Sequence, residues 1–257
     1  MSARIAETAG AWPEGVARHI LEEVDSTSSQ AARLAPSLTQ PTWIMARRQT
    51  AARGRRGRVW LSPEGNFAAT LVMRPSGAPD QAALRSFVAA LALRDALALI
   101  CGPAARLSLK WPNDVLLNGG KVAGILLESV GQGPGISHLA IGIGVNLIAA
   151  PPPGAVEPGA MAPVSILGES ALRVSPEELL TYVAAAFARW EAQFVTYGFA
   201  PIRNAWLAGA ARLGQPITAR MTSETVSGTF ETIAEDGSLV LATPQGTRNI
   251  PAADVFF

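Results

Sequence analysis

The chain has 257 residues, of which 49% are apolar and 16% are charged, and its formal net charge is +1. This composition predicts a folded protein with a sizeable core and excludes a disordered chain. A net charge near zero argues against a protein that coats nucleic acid over a broad face. The apolar runs are too short or too interrupted to cross a bilayer, and no secretory signal pattern is present. The single cysteine, Cys101, excludes an internal disulfide, so we expect a cytoplasmic protein with no membrane partner.

Strands and helices alternate along most of the chain. Short apolar runs bounded by turn residues predict strands, at 16–24, 41–48, 66–73, 106–111, 136–147 and, as a hairpin that turns at Asn118-Gly119-Gly120, at 114–129. Helices are predicted after favourable N-cap residues, namely after Asp25-Ser26-Thr27, over 80–100 with Asp80 as the cap, after Ser175 as far as 198, and over 200–209.

Two later segments differ from the rest of the chain in composition and in predicted structure. Residues 150–163 contain five prolines and two glycines, which predicts a long surface loop without regular structure. From about residue 213 the chain consists of short strands separated by turn signals. We therefore predict a small all-β unit over 213–257, packed on a larger unit over 1–212.

Positive charge is concentrated in residues 47–60, RRQTAARGRRGRVW, which hold six arginines. Gly54 and Gly57 would allow a close backbone approach or a positive φ, and arginine forks match phosphate and carboxylate groups. A solvated basic turn, a nucleic-acid patch and a clamp for an anionic small molecule are the three interpretations. We favour the clamp because the segment ends with a large aromatic residue, Trp60. Since the six like charges repel one another, we expect the segment to be mobile until an anion binds.

The two lysines form a second pattern. All other basic residues are arginine, whereas Lys110 and Lys121 lie eleven residues apart. Lysine differs from arginine as a compact point charge on a flexible stem. Asp114 and Lys121 lie on two strands joined by a tight turn, so we expect them to be close in space. A plain hairpin with a surface ion pair is the alternative, but the polar residues of Trp-Pro-Asn-Asp (111–114) in an apolar stretch favour a site.

The remaining motifs are weaker. A strand with two glycines, GIGVN at 142–146, predicts close approach by a ligand or another backbone, without the spacing of a dinucleotide fingerprint. His19, His138 and Cys101 have no metal-ligand or nucleophile spacing. We therefore predict neither a protein-bound metal nor a Cys/His nucleophile.

Four blocks, in this order and spacing, resemble the biotin–protein ligase family: DSTSS (25–29), the arginine segment, KWPNDVLLNGGKVAGILLE (110–128) and GIGVNL (142–147). The resemblance implies an α+β fold, with a mixed β-sheet and flanking helices like those of class II aminoacyl-tRNA synthetases and lipoate ligases. It also implies a small C-terminal SH3-like β-barrel.

The family resemblance further implies that the carboxylate of biotin attacks the α-phosphate of ATP, with Mg²⁺ on the phosphates. A lysine of a biotin carboxyl carrier protein then accepts biotin. The residues implied for biotin are Ser26, Thr27, Ser28, Gln49, Arg53, Gly54, Arg55, Lys121 and Gly124. Those implied for ATP are Arg55, Arg56, Trp60, Asn113, Asp114, Lys121 and Asn146. The catalytic residues implied are Arg55, Asp114 and Lys121.

The chain departs from the family pattern in three places. Ser28 replaces the usual asparagine, Ala52 replaces a frequent glycine, and the 150–163 loop has no aromatic residue for adenine. The short segment before the first strand leaves no room for a winged helix, so we expect a single-function ligase without a nucleic-acid partner. The sequence leaves open whether the protein is a monomer or a homodimer. The alternatives are a lipoate or octanoyl ligase or transferase of the same fold, a nucleic-acid-binding module that uses the 47–60 segment, and a ligand-binding regulator without catalysis.

Overall fold

A seven-stranded mixed sheet forms the centre of the larger part of the protein. The computed structural model describes residues 11–75, 79–130, 137–157 and 159–257. The strands of this sheet are β1 (Ala17–Val24), β2 (Thr42–Gln49), β3 (Phe67–Met73), β4 (Leu107–Lys110), β5 (Asp114–Leu117), β6 (Gly120–Val130) and β7 (His138–Val145). Their spatial order is β1-β2-β3-β7-β6-β5-β4, with β1 parallel to β2 and the other neighbours antiparallel.

The helices lie on both faces of this sheet. They are α1 (Thr27–Leu34), α2 (Pro79–Ala83), α3 (Arg85–Cys101), α4 (Ile166–Ser170), α5 (Pro176–Tyr197) and α6 (Phe199–Ala208). Successive side chains of a strand point to opposite faces. On one face, Trp43 and Phe67 join a large core with Leu91 of α3 and Val183 of α5. None of the helices within the described residues is long and apolar enough to cross a membrane.

The second face of the sheet is covered at one end. Ile44, Val72 and Ala140 pack there against Ala31 of α1 and Ala35 just after it. Helix α1 has eight residues, so it spans roughly 12 Å. The candidate site lies on this face beside α1, where Gly124 of β6 and Gly144 of β7 line a cavity.

The C-terminal residues form a second, five-stranded antiparallel sheet in the order β11-β10-β9-β8-β12. Its strands are β8 (Pro216–Arg220), β9 (Thr225–Ile233), β10 (Leu239–Thr243), β11 (Gly246–Ile250) and β12 (Asp254–Phe256). Ile217, Phe230 and Leu241 belong to the same core cluster as the large sheet and its helices. The indole of Trp111 also donates a hydrogen bond of 3.0 Å to the carbonyl of Gly237. The small sheet is thus packed on the rest of the protein, as predicted.

The predicted fold class is confirmed, and the predicted strands lie within a few residues of the observed ones. Residue 136 of one predicted strand lies outside the described residues. The hydroxyl of Ser175 caps α5 by accepting a bond from the Glu178 amide, as its pattern indicates.

Other element predictions were wrong in detail. The helix predicted over 80–100 is interrupted at Leu84, and Asp80 lies inside α2 rather than at a cap. Ser26 has the N-cap position of α1, but its side chain makes no capping bond. The proline-rich segment contains one short 3-10 turn, Pro153–Ala155, and α4 follows it without having been predicted. The division into units at residue 212 stays a prediction.

Because the core is continuous, we expect Phe230→Ala to destabilise the whole chain rather than the small sheet alone. Phe230 is 2% exposed, and removal of a buried phenylalanine ring costs about 3–5 kcal/mol. Urea unfolding followed by far-UV circular dichroism and by tryptophan fluorescence should give a single transition at lower urea. Val195→Ala, at a 58% exposed position, is the control and should change little. Two separate transitions, only one of them shifted, would contradict the continuous core.

Candidate active site

The candidate site is a cavity of about 490 Å³ on the second face of the large sheet. Its wall combines the start of α1, the arginine segment 47–60, strands β5 to β7, the proline-rich loop and strand β12. All predicted site residues except Arg56 line this cavity, namely Ser26, Thr27, Ser28, Gln49, Arg53, Gly54, Arg55, Trp60, Asn113, Asp114, Lys121, Gly124 and Asn146. Segments that are far apart in sequence therefore meet at one place.

One end of the cavity carries neutral hydrogen-bonding groups. The side-chain oxygen of Gln49 accepts bonds from the Thr27 amide at 2.8 Å and from the Thr27 hydroxyl at 3.2 Å. The buried Thr70 hydroxyl donates to the Thr27 hydroxyl at 2.9 Å and lies 3.4 Å from the Ser28 hydroxyl. Since its oxygen is engaged, the Gln49 side chain presents its NH₂ group as a donor. The network fixes these groups before a ligand arrives.

The arginine segment forms a tight turn at the mouth of the cavity. The amide of Gly54 donates to the carbonyl of Arg58 at 2.7 Å, and Arg53 forms a β-bridge with Val59. Gly57 takes a positive φ of 72°, as its residue type allows, whereas Gly54 has a φ of −105°. Arg56 also has a left-handed φ of 56°, which is uncommon for a residue with a side chain. Its guanidinium donates a hydrogen bond to Asp254 and does not line the cavity.

The like charges of the arginine segment, from which we expect mobility until an anion binds, are already partly balanced by carboxylates of the protein itself. The mobility of the segment without a ligand stays a prediction. Asp254 accepts bonds from Arg58 at 2.6 Å and from Arg56 at 2.9 Å. Glu157 lies 3.5 Å from the Arg58 guanidinium. Carboxylates from two distant segments therefore neutralise part of the repulsion, which sequence spacing cannot reveal. Burial by itself raises the pKa of Asp254, but its bond from Arg58 and the charge of Arg56 bring that pKa below its usual value.

Trp60 explains the glycines of the neighbouring strands. A Cβ atom on Gly144 would lie 2.6 Å from the indole of Trp60, and one on Gly124 would lie 3.3 Å from it. Gly124 and Gly144 are directly paired across β6 and β7. The glycines of GIGVN do admit a close approach, but at Gly144 it is made by an aromatic side chain and not by another backbone, which is one of the two partners that the sequence predicts. A Cβ on Gly142 would lie 2.9 Å from the Ser28 hydroxyl, so this glycine admits the start of α1.

A carboxylate lies between the two lysines. The Lys121 ammonium is 2.7 Å from one oxygen of Asp114, as the hairpin spacing predicts, and the Lys110 ammonium is 3.8 Å from the other. Lys121 also lies 5.7 Å from the centre of the Trp60 ring. Burial lowers the pKa of Lys110, and the charge of Asp114 opposes this shift. The side chain of Asp114 is only 12% exposed, so its position is well defined between the two cations.

Arg55 and Asn113 connect the arginine segment to the hairpin. Arg55 donates to the Asn113 side-chain oxygen at 3.4 Å, and the Asn113 NH₂ group donates to the carbonyl of Ile125. The backbone carbonyl of Asn113 accepts from the Ile125 amide at 2.9 Å. Burial lowers the pKa of Arg55, with Asp254 acting in the opposite direction.

Asn146 provides an acceptor that the protein does not use. It is 1% exposed, and its NH₂ group donates to the carbonyl of Val164 at 3.0 Å. Its side-chain oxygen is buried and has no hydrogen-bond partner. A buried acceptor without a partner is costly unless a ligand donates to it.

Five polar residues of this region were missed as site residues by the sequence analysis. Arg58, Lys110, Glu157 and Asp254 line the cavity, and the Thr70 hydroxyl contacts those of Thr27 and Ser28. Two of them had a signal, because Arg58 belongs to the arginine segment and Lys110 is one of two lysines. No group of three or more histidine, cysteine or acidic side chains that could hold a metal occurs within the described ranges. His138 instead contacts Arg74 and Ser137, at 3.2 and 3.1 Å.

Two regions of the chain match protein-family models. Residues 21–146 match the model of the biotin/lipoate A/B protein ligase family, and residues 213–257 match the biotin protein ligase C-terminal domain. The chain is 63% identical over 238 residues to a biotin–[acetyl-CoA-carboxylase] ligase of Paracoccus denitrificans, covering 93% of this chain and 99% of that relative. The chain belongs to the biotin protein ligase family. The Bacillus subtilis bifunctional ligase/repressor BirA is 30% identical to it, with 96% of this chain and 76% of that relative covered.

Solved structures of biotin protein ligases have the same fold. The Aquifex aeolicus biotin protein ligase in complex with biotin and ATP superposes with a TM-score of 0.78 at 26% identity, covering 93% of this chain and 98% of that one. The Leishmania major biotin protein ligase in complex with biotinyl-5-AMP has a TM-score of 0.65 at 21% identity, covering 93% and 99%. Because its sequence identity is only 21%, the similarity to the Leishmania major structure supports the fold alone.

The contact between Trp60 and Gly144 can be tested without a ligand. We expect Gly144→Ala to displace the indole of Trp60, since a Cβ atom 2.6 Å away cannot be accommodated. Acrylamide should then quench tryptophan fluorescence more strongly. The effect should disappear when Trp60→Phe is also present. Gly154→Ala is the control, because a Cβ there meets nothing within 4 Å. Equal quenching of Gly144→Ala and the unsubstituted protein would mean that Trp60 does not rest on this strand.

Proposed function

We propose that the protein is an ATP-dependent biotin–protein ligase that forms biotinyl-5′-adenylate and transfers biotin to a lysine of a biotin carboxyl carrier protein. The observation that carries the proposal is the division of one cavity into a neutral end and a cationic end. Biotin has a neutral ureido ring at one end and a carboxylate at the other. The biotin–[acetyl-CoA-carboxylase] ligase and the biotin- and ATP-bound biotin protein ligase to which the chain is similar support the same reaction.

Biotin would bind with its ureido ring at the neutral end. The NH₂ group of Gln49 and the hydroxyls of Ser26 and Thr27 would bond the ring, because a ureido group both donates and accepts hydrogen bonds. Ser28 replaces the usual asparagine there and would act together with Thr70. The turn at Arg53 and Gly54 would cover the biotin chain, and Gly124 would admit it to the strand surface.

The first reaction joins two anions, so it needs fixed positive charge. A biotin carboxylate oxygen attacks the α-phosphorus of ATP, and pyrophosphate leaves with the electrons of the broken P–O bond. Lys121 and Arg55 would stabilise the charge that develops on the α-phosphate oxygens, and Asp114 would hold Lys121 in place. Preorganised cations of this kind are the main source of catalysis in phosphoryl and nucleotidyl transfer.

The nucleotide would lie between Trp60 and Asn146. The indole offers a flat apolar surface, and the unpartnered oxygen of Asn146 would accept a bond from a donor on the nucleotide. Asn113 would stay near the reacting phosphate through Arg55. Arg56 would help to maintain the shape of the turn, because its guanidinium donates a hydrogen bond to Asp254.

Magnesium would enter with the nucleotide. Each carboxylate of the cavity wall forms an ion pair with a lysine or an arginine side chain. These carboxylates are Asp114, Glu157 and Asp254. They do not form a dedicated magnesium site, and Mg²⁺ commonly binds through substrate phosphates with several waters. We therefore treat MgATP as the substrate.

In the second reaction, the lysine amine of the carrier protein attacks the acyl carbon of the adenylate. The amide C–N bond forms, the acyl–phosphate C–O bond breaks, and AMP leaves with its electrons while the amine loses a proton. The cationic cavity would stabilise the departing phosphate. A cover formed by the arginine turn and the proline-rich loop would limit hydrolysis of the adenylate.

The substrate is tested by ATP–pyrophosphate exchange with biotin, lipoate or octanoate as the acid. We expect exchange only with biotin, because the hydroxyl and amide groups of the neutral end have no partners on an aliphatic chain. Transfer is then followed as labelled biotin on an apo carrier domain, compared with a domain whose acceptor lysine is replaced. Exchange that prefers lipoate or octanoate would identify the protein as an acyl ligase of another specificity.

Lys121→Ala should reduce biotin-dependent pyrophosphate release by about 10²–10³-fold, the usual loss when one transition-state donor is removed. Lys121→Arg should also be impaired, because a planar guanidinium does not fit the site of a compact ammonium beside Asp114 and Trp60. Arg248→Ala removes a cation outside the cavity wall and is the control. Rates within a few-fold of the unsubstituted enzyme for both Lys121 variants would exclude the assigned role.

A further inference from the structure

Two loops cross the mouth of the cavity, and the C-terminal sheet contacts both. Strand β12 presents Asp254 to the arginine turn, and Arg220 lies directly opposite Asp254 on β8. Arg220 bonds Glu157 of the proline-rich loop and packs on the ring of Phe256 at 4.6 Å. Successive side chains of β12 point to opposite faces of its sheet. Asp254 and Phe256 therefore face the loops, while Val255 is buried on the other side.

The charges of these segments form a closed ring of alternating sign. Arg58 is 2.6 Å from Asp254 and 3.5 Å from Glu157. Arg220 bonds Glu157 and lies 3.9 Å from Asp254. Each carboxylate therefore touches two cations. Arg56 adds a further bond to Asp254, so Asp254 is the member with the most partners.

Asp254 differs from an ordinary surface ion pair. Its side chain is 14% exposed, and a single carboxylate oxygen accepts from both Arg56 and Arg58. The same sheet offers a contrast in Arg248 and Glu224, which pair at 2.7 Å but are both 46% exposed. Arg56 and Arg58 are 40% and 51% exposed, so the contrast lies in the shielded carboxylate and the two donors that share its oxygen. Exposed pairs contribute little to stability, whereas charge-assisted hydrogen bonds are stronger than neutral ones.

The left-handed backbone of Arg56 indicates what Asp254 does. Such a conformation is strained for a residue with a Cβ, so a contact must maintain it. The bond from Arg56 to Asp254 is such a contact. Residues 56 and 58 are thereby held toward the C-terminal sheet, and Arg55 between Gly54 and Arg56 reaches Asn113 instead.

We propose that Asp254 is a positioning residue of the active site: it holds the turn by Arg56 and Arg58 so that Arg55 points into the cavity before the nucleotide binds. The C-terminal sheet thus contributes to catalysis through the shape of a loop in another part of the chain. This inference rests on the proposed function for its catalytic consequence, but the tethering itself does not.

The tethering is tested by limited trypsin digestion of the full chain without ligand, with mass spectrometry of the first cuts. In Asp254→Asn, which keeps the size of the side chain and removes its charge, cleavage within 53–58 should be faster by on the order of tenfold, because it follows the open population. Asp254→Glu should restore much of the resistance. Glu224→Gln, which breaks the exposed pair with Arg248, should cleave like the unsubstituted protein, with a similar melting temperature for all four.

The catalytic consequence is tested by biotin-dependent ATP–pyrophosphate exchange with the same variants. If the turn is productive only about a tenth of the time without Asp254, KM for ATP should rise about tenfold, with kcat changed much less. Asp254→Glu should recover most of the affinity, and Glu224→Gln should match the unsubstituted enzyme.

The two measurements separate the possible failures. Cleavage within 53–58 no faster than in Glu224→Gln would overturn the tethering by Asp254. Faster cleavage with an unchanged KM for ATP would overturn the positioning role, since the contact would then be structural only. Absence of biotin-dependent exchange in the unsubstituted protein would refute the proposed function, and faster cleavage of Asp254→Asn would still support the tethering.

Discussion

The arrangement of the site depends on mutual repulsion among the positive charges that surround one cavity. Five cationic side chains and three carboxylates line it, so the wall carries an excess of two positive charges. Such an excess suits substrates that are themselves anions, but it must be held together in a folded protein before they arrive. Each carboxylate lies between two or more cations: Asp114 between the two lysines, and Glu157 and Asp254 among the arginines. Repulsion is reduced without being cancelled.

The same constraint explains why the small C-terminal sheet is packed against the cavity. It supplies Asp254 to the arginine turn and Arg220 to the proline-rich loop, and its apolar residues continue the core of the large sheet. The bond from Trp111 to Gly237 joins it to the Lys-Trp-Pro-Asn-Asp segment as well. A change in the packing of this sheet would therefore be expected to alter the two loops, and through them the site.

Close packing of Trp60 against two strands shapes another part of the cavity wall. Paired glycines at 124 and 144 leave the strand surface bare, and the Trp60 indole occupies that surface beside Lys121. At the opposite end, the hydroxyls of Thr27, Ser28 and Thr70 are linked in one network. The cavity thus has one end defined by charge and one defined by neutral hydrogen bonds, which is the division that a molecule like biotin requires.

The local features of this protein follow from short-range patterns in its sequence. Strand and helix periodicity, the hairpin turn at Asn118-Gly119 and the Ser175 cap follow from interactions within a few residues, and four motifs indicated the family. The contact between Asp114 and Lys121 was also predictable, because a tight turn brings the two strands together. Most predicted site residues lie on one cavity wall because the sheet brings their motifs together; the family resemblance had already singled out these residues.

The groups that balance the arginines are set by contacts between segments that are distant in sequence. Asp254 lies 196 residues from Arg58 along the chain, and no local pattern distinguishes it from other surface carboxylates. The same holds for Thr70, whose hydroxyl would pass for an ordinary strand residue until α1 packs over it. The outward direction of Arg56 was likewise beyond the sequence, since a left-handed arginine is stabilised only by what surrounds it. Long-range electrostatic contacts depend on the packing of the two sheets, and that packing is a property of the whole core rather than of any segment.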